Sequence, residues 1–338
     1  MIELTEARAP GYLRKLGVAP AEGPIAIASL SGGISNVVLR ATWAGGDIVL
    51  KQSLPELRVA ERWSFDRARI LVERDCMEAL GRLLPAGSVP SVVFSDDDNY
   101  IFAMTCAPAG GTVWKDALMA GDVDPEAARR AGALLAAVHR EAADDDAIRR
   151  RFDDLMPLVQ GRVDPYHRTA AAANPDLATA IEADVARLME DRRTLVLGDF
   201  APKNLIVYPG SVLALDFEVA HWGDPAFDVA FMLSHLTLKA CRLPGRAPAY
   251  LDAARAFTQA YSAQAGAVGA EDHAVVSEAG CLLVCRVDGK SKAEYLTDEP
   301  VRAFVRALGT ELLLGGEPRL AAALDMVSER VQDLAVAS

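Results

Sequence analysis

The residues with the clearest chemical content sit in one stretch, Gly198-Asp199-Phe200-Ala201-Pro202-Lys203-Asn204. It is followed by the apolar run Leu205-Ile206-Val207, a turn, and then Asp216-Phe217-Glu218. Two strands here would deliver carboxylates and an amide to one spot lined by loops. Phosphoryl transfer needs such a set: Asp199 can accept or orient the proton of an attacking hydroxyl. Asn204 and Asp216 offer the hard oxygens that suit Mg2+ held against phosphates. Gly, Asp, Pro and Asn are also good turn formers, so Asp199 alone says little; the whole constellation carries the reading. In the first third, Ser31-Gly32-Gly33-Ile34-Ser35-Asn36 lies between two strand-like runs. Glycines at Gly32 and Gly33, with Ser35 and Asn36 beside them, let a backbone approach phosphates and offer N–H groups to them.

With these residues in view, the chain resembles the aminoglycoside phosphotransferase and choline kinase-like family. That family's pattern runs His-Gly-Asp-x-x-x-x-Asn, then Asp-x-Asp/Glu, then Gly-Asp-Pro-x-x-Asp. Asp199 and Asn204 have the required spacing, Asp216-Phe217-Glu218 fits the second part, and Gly223-Asp224-Pro225-Ala226-Phe227-Asp228 fits the third. The resemblance implies that Asp199 is the catalytic base, that Asn204 and Asp216 are metal ligands with Glu218 a further metal or substrate contact, and that Asp228 buttresses the loop. Leu197 stands where the family has His, and an apolar residue there is expected to keep the loop geometry. The resemblance also implies ATP and Mg2+ as cofactors and Lys51 as the lysine that reaches the phosphates. Glu73 is its expected partner, with Glu78 as the competitor. Residues 103–107, including Met104 and Cys106, are the expected hinge against adenine. A shorter likeness, Lys51-Gln52-Ser53-Leu54-Pro55-Glu56-Leu57-Arg58 with Trp63 and Arg67-Ala68, is similar to methylthioribose kinases and implies a sugar-like acceptor. An aminoglycoside, another antibiotic or an amino alcohol is the alternative.

Positioning these groups requires two kinds of scaffold. Strand-like runs at 25–30, 37–43, 47–52, 89–95 and 100–105, with a helical pattern at 66–84, predict a five-stranded antiparallel sheet with one helix. The APAGG segment at 107–111 is a plausible linker. Beyond it, helical periodicity recurs near 127–140, 174–190, 248–264, 273–286, 300–314 and 317–334, and a β-rich island spans 194–218. The expected fold is therefore α+β, protein-kinase-like and two-lobed: a small antiparallel β lobe over 1–106 and a larger, mainly helical lobe over 107–338. The cleft between the lobes is the natural ligand site.

Acceptor-binding residues are expected in the helical lobe. His221 and Trp222 follow the carboxylates, and Lys203 lies in the loop itself. Arg286, Asp288 and Lys290 interrupt an apolar helix with charge that can hold an anionic group. His139, ending the helical run Leu135-Ala136-Ala137-Val138, is expected to be a hydrogen-bonded core residue. Gly289-Lys290-Ser291 has the ending of a P-loop, but the earlier glycine that motif requires is Val284. A protein kinase is disfavoured, because the chain reaches Gly223-Asp224-Pro225 soon after Asp216 and leaves little room for an activation segment. A non-catalytic nucleotide-binding protein has no need for Lys51, Asp199, Asn204 and Asp216 together.

Composition sets the outer limits. The 338 residues have room for two lobes, and 51% are hydrophobic. A net charge of −12 argues against nucleic-acid binding. No run approaches the length of a spanning helix, and the charged N-terminal stretch is unlike a signal peptide. Five cysteines at non-zinc spacings suggest reduced thiols and a cytoplasmic setting. The expected partner is a small hydroxyl compound, with neither nucleic acid nor membrane, for a monomer or homodimer.

Overall fold

The computed structural model describes residues 2–30, 36–54, 63–316 and 319–337. The Gly32, Gly33 and Ser35 positions and the Pro55–Arg58 part of the methylthioribose kinase-like stretch lie outside the described residues.

The first lobe begins with α1 (Ala9–Lys15) and continues through β1 (Ala26–Ser29), β2 (Asn36–Trp43), β3 (Gly46–Ser53), α2 (Arg69–Leu83), β4 (Val92–Asp96) and β5 (Ile101–Thr105). The strands form one antiparallel sheet in the order β1-β2-β3-β5-β4. Side chains alternate across it. Ile48 and Leu50 face one way, into an apolar cluster with Tyr12 and Leu13 of α1. Val49, Phe102 and Met104 instead join the main core, which includes Ile70, Met77 and Leu80 of α2. Lys51 is in step with Val49 and so turns toward α2.

After β5 the chain runs into β6 (Thr112–Val113), α3 (Trp114–Met119), α4 (Pro125–Ala142) and α5 (Asp146–Arg151). Asp124 caps α4, accepting from the Glu126 amide at 2.9 Å, with Pro125 at the first helical position. One continuous helical run follows: α6 (Met156–Leu158), a π-helical stretch (Val159–Arg168) and α7 (Thr169–Ala173). Then come α8 (Ala178–Glu190), the strands β7 (Thr194–Val196), β8 (Leu205–Val207), β9 (Val212–Ala214) and β10 (His221–Gly223), and the helices α9 (Ala226–Arg242), α10 (Ala247–Ala265), α11 (Asp272–Asp288), α12 (Glu299–Leu314) and α13 (Leu320–Ala337). The β-rich island supplies β7, β8 and β9 to two small antiparallel sheets, β6-β8-β9 and β10-β7. α9 is buried on every side from Ala226 to Cys241 and forms the axis of this lobe. Cys281 and Cys285, one turn apart on α11, are buried thiols. Among the described residues no helix is long and apolar enough to cross a membrane.

Candidate active site

The loop after β7 is held from below. Asp228, in the first turn of α9 and fully buried, accepts from the amides of Leu197 at 2.7 Å and Gly198 at 2.8 Å. His139, at the end of α4, lies 3.3 Å from the same carboxylate and bonds the Tyr261 hydroxyl through its other nitrogen. This is the hydrogen-bonded core histidine expected from the sequence. Asp224 accepts from the Ala226 amide at 2.9 Å and helps start α9. Leu197 itself is in the core. Gly198 has φ +71°, and a Cβ there would meet Val219 at 2.7 Å, so this turn requires glycine.

On that frame Asp199 is fixed from three directions. Arg162 approaches one oxygen at 2.7 Å, Lys203 the other at 2.8 Å, and the Asn204 amide nitrogen donates to the carboxylate and to the Asp199 carbonyl, both at 3.0 Å. Arg162 also donates to the Gly198 carbonyl at 2.7 Å, so one guanidinium grips both loop and carboxylate. Sequence reasoning missed Arg162. It lies in the π-helical stretch, between Gly161 and Pro165, where no regular helical pattern announces it.

The first lobe meets this loop through a buried charge cluster. Lys51 bonds Glu73 at 2.8 Å and Asp216 at 2.6 Å. Glu73 sits on the buried stripe of α2 with Ile70, Met77 and Leu80, whereas Glu78 is exposed, which decides between the two candidates. Burial pushes the Glu73 carboxyl up to about 8 against the pull of Lys51. Burial opposes the Lys51 charge, but Asp216, Glu73 and Glu218 outweigh it and raise the ammonium's pKa. Burial likewise opposes ionisation of Asp216, yet Lys51 and Lys203 hold it below the usual carboxylate range. Asp216 adopts φ +66°, a left-handed conformation rare for a residue with a Cβ. Glu218 accepts from Asn36 at 2.8 Å and lies 3.3 Å from Arg69, so it ties the sheet and α2 to the helical lobe. Carboxylate oxygens of Glu73, Asp216 and Glu218 lie within 4.8 Å of one another. An oxygen-only donor set of this kind suits a hard divalent cation. Met104 is buried on β5 and Cys106 half-buried just beyond it, where the chain leaves the sheet.

These contacts give a first expected outcome. Glu73→Met should raise the KM for ATP roughly tenfold or more, because the charge-assisted hydrogen bond to Lys51 is lost. Glu78→Gln should leave that KM within about twofold. Equal effects in steady-state kinetics would contradict the pairing.

The residues expected at the acceptor sit in different settings. Trp222 is packed in the core: its strand pairs with β7 and its indole N–H donates to the Arg192 carbonyl at 3.1 Å. His221 is buried with Nδ1 against the Val219 carbonyl, and burial lowers it to about 4. Both rings are buried where β10 pairs with β7. Asp288 is engaged by Arg306 at 2.7 and 2.8 Å and by Asn174 at 3.0 Å, which makes it a tie between α11 and α12. Lys290 is exposed, and its amide donates to the Pro165 carbonyl. Arg286, by contrast, reaches Tyr166 next to Arg162. Burial alone would raise the Tyr166 phenol, but Arg286 and Arg162 outweigh it and lower its pKa.

A buried lysine that the sequence reading passed over lies on α9. Burial lowers the Lys239 ammonium to about 7, and the cations Arg286, Lys115 and Arg242 add to the effect. Between about 7 and the ordinary lysine value the unfolded chain holds a proton that the folded chain has released. This group therefore makes stability rise with pH across that window. Lys239→Met should flatten the rise, read from urea midpoints between pH 7 and 10; an unaltered slope would contradict a depressed lysine.

The Phosphotransferase enzyme family matches residues 26–267, well over half of the chain and including Lys51, Glu73, Arg162, Asp199, Asn204, Asp216, Glu218 and Asp228. The chain belongs to that family. It is 26% identical over 265 residues to a methylthioribose kinase of Pectobacterium carotovorum subsp. carotovorum (strain PC1), which covers 69% of this chain and 65% of that protein. It is also 26% identical over 276 residues to a methylthioribose kinase of Cronobacter sakazakii (strain ATCC BAA-894), covering 72% of this chain and 67% of that protein. The chain thus spans just under two thirds of the Pectobacterium protein's length. Among solved structures it is similar to an amicoumacin kinase, with a TM-score of 0.54 at 16% identity over 96% of this chain and 93% of that one. A choline/ethanolamine kinase family protein from Mesorhizobium loti has a TM-score of 0.50 at 16% identity over 95% and 99% of the two chains. At such identities the likeness is one of fold: a two-lobed kinase-like architecture with a five-stranded first lobe.

Proposed function

We propose that this protein transfers the γ-phosphoryl group of ATP to a hydroxyl of a small molecule. The observation that carries the reading is the meeting of Lys51–Glu73 from the first lobe with Asp199, Asn204 and Asp216 from the second. On this reading Lys51 would hold nucleotide phosphates, and Asp199, fixed by Arg162 and Asn204, would orient a hydroxyl and take its proton. Asp216 and Asn204 would hold Mg2+, with Glu218 close by; when bound, the ion neutralises charge on the transferring phosphate oxygens. Arg162 keeps the base in register with the loop, so that the attacking oxygen can lie in line with the phosphate. Similarity to methylthioribose kinases supports a sugar-like acceptor.

The test is turnover of ATP with Mg2+ across a panel of hydroxyl compounds that includes methylthioribose, choline and kanamycin. Phosphorylated product from any of them supports the reading. ATP binding without transfer to any acceptor would point instead to a nucleotide-binding protein.

A further inference from the structure

One stripe of α9 leads from the loop after β7 to buried basic groups that, among the described residues, no acid answers. Asp228, Phe231, His235 and Lys239 recur at three- and four-residue spacing and so share a face. Asp228 holds the loop amides, and Phe231 packs under Arg162, whose guanidinium carbon is 5.1 Å from its ring. The rings of Phe231 and His235 meet edge-on at 5.1 Å, and Lys239 lies one turn further on. Two facing elements close over this stripe. Tyr166 of the π-helical stretch stands 6.2 Å from Phe231, and Arg286 of α11 reaches the Tyr166 hydroxyl at 3.3 Å. Tyr295 lies 5.5 Å from the Lys239 nitrogen.

The charges along this path do not balance. Arg162 is answered by Asp199. Lys239 is only 2% exposed, and its ammonium donates to the His235 carbonyl at 3.2 Å. Among the described residues neither Lys239 nor Arg286 has a carboxylate partner. Asp288, the nearest acid in sequence to Arg286, is already engaged by Arg306 and Asn174. Arg286 uses one terminal nitrogen on Tyr166 and Ser291 while its buried Nε has no partner, and the buried Tyr295 hydroxyl has none either. A lysine taken out of water against a single neutral acceptor is costly unless something supplies the opposite charge.

We propose that Lys239 and Arg286 bind an anionic group, a carboxylate or a phosphate, carried by the acceptor itself. The proposal rests on the kinase reading above and names its substrate class. The Lys239 ammonium is level with His235, seven residues beyond Asp228, which is about 10 Å along the helix. The helical rise runs from the carboxylate that anchors the loop, and an acceptor carrying both a hydroxyl and an anion on one small frame, such as a hydroxy acid or a sugar phosphate, is the class this implies. Cationic acceptors such as amino alcohols and aminoglycosides would meet like charge here.

Two measurements test this. Inorganic phosphate without nucleotide should raise the Tm of the wild type. Lys239→Met and Arg286→Gln should each lose at least half of that rise, whereas Lys51→Met, at the nucleotide side, should keep most of it. In turnover, matched acceptors are compared: D-ribose 5-phosphate with D-ribose, and D-glycerate with glycerol, alongside choline. The anionic member of the better pair should lead its neutral twin at least tenfold in kcat/KM, and Lys239→Met should bring that ratio toward one. No protection by phosphate, equal protection of wild type and both variants, or neutral or cationic compounds as the better acceptors would overturn the proposal. Protection that depends on Lys239, with no compound phosphorylated, would keep the anion site and remove the kinase reading.

Discussion

Asp199→Asn should leave ATP binding nearly intact and lower turnover roughly 10²–10⁴-fold, the usual contribution of a positioned acid–base group. Asparagine keeps the size and can still meet Lys203 or Asn204, but it cannot take the hydroxyl proton. The loop should survive the change, because its amides are held by Asp228 and its Gly198 carbonyl by Arg162. Single-turnover rates with saturating ATP, beside a nucleotide titration, separate the two effects. A variant that phosphorylates acceptor at near wild-type rate would remove Asp199 from the chemistry. Arg162→Met should also slow turnover, since one oxygen of Asp199 then loses its partner and the loop a clamp.

The second large effect is expected far from the reacting atoms. Asp228→Ala should destabilise the fold by about 3–5 kcal/mol, the range for removing one partner of a buried charged network. Two buried amides, Leu197 and Gly198, would lose their acceptor at once, and His139 would lose its neighbour. Water cannot easily replace the carboxylate, because Asp228 has no exposed surface. Activity should fall with stability, as the loop carrying Asp199 is anchored at these two amides. Asp228→Asn retains one acceptor oxygen and should fall between alanine and the wild type. Urea denaturation of the three proteins gives the ranking; a loss below about 1 kcal/mol for alanine would mean that the loop is held elsewhere.

The residues of the candidate loop after β7 stood out in the sequence because their types and spacing are set by chemistry that any chain must satisfy locally. Asp199 and Asn204 are five residues apart in a short loop, and Asp216 follows on the next strand exit; no distant contact is needed to see them as a group. The first lobe was equally open to reading, since short apolar runs bounded by Gly, Asn and Asp turns mark its strands and the apolar stripe of α2 marks a buried helix face. That stripe also contained the answer to Glu73 against Glu78: Glu73 falls in phase with Ile70 and Met77, and Glu78 falls out of phase. Other features depended on neighbours remote in the chain. α9 is surrounded on all sides, so burial selects apolar residues at nearly every position and erases the helical period that would reveal it. Gly161 and Pro165 are residue types that disfavour regular helix, and the segment that holds them follows a π-helical path that brings Arg162 to Asp199. Trp222 and Arg286 looked alike as candidates from sequence. The pairing of β10 with β7 drew one into the core, while the crossing of α11 over the π-helical stretch left the other beside Tyr166. Sequence determined which groups could do the chemistry; only the tertiary structure decided which of them face one another. A side chain's periodicity records that it is buried, and the partner it is buried against is fixed by elements far away in the chain.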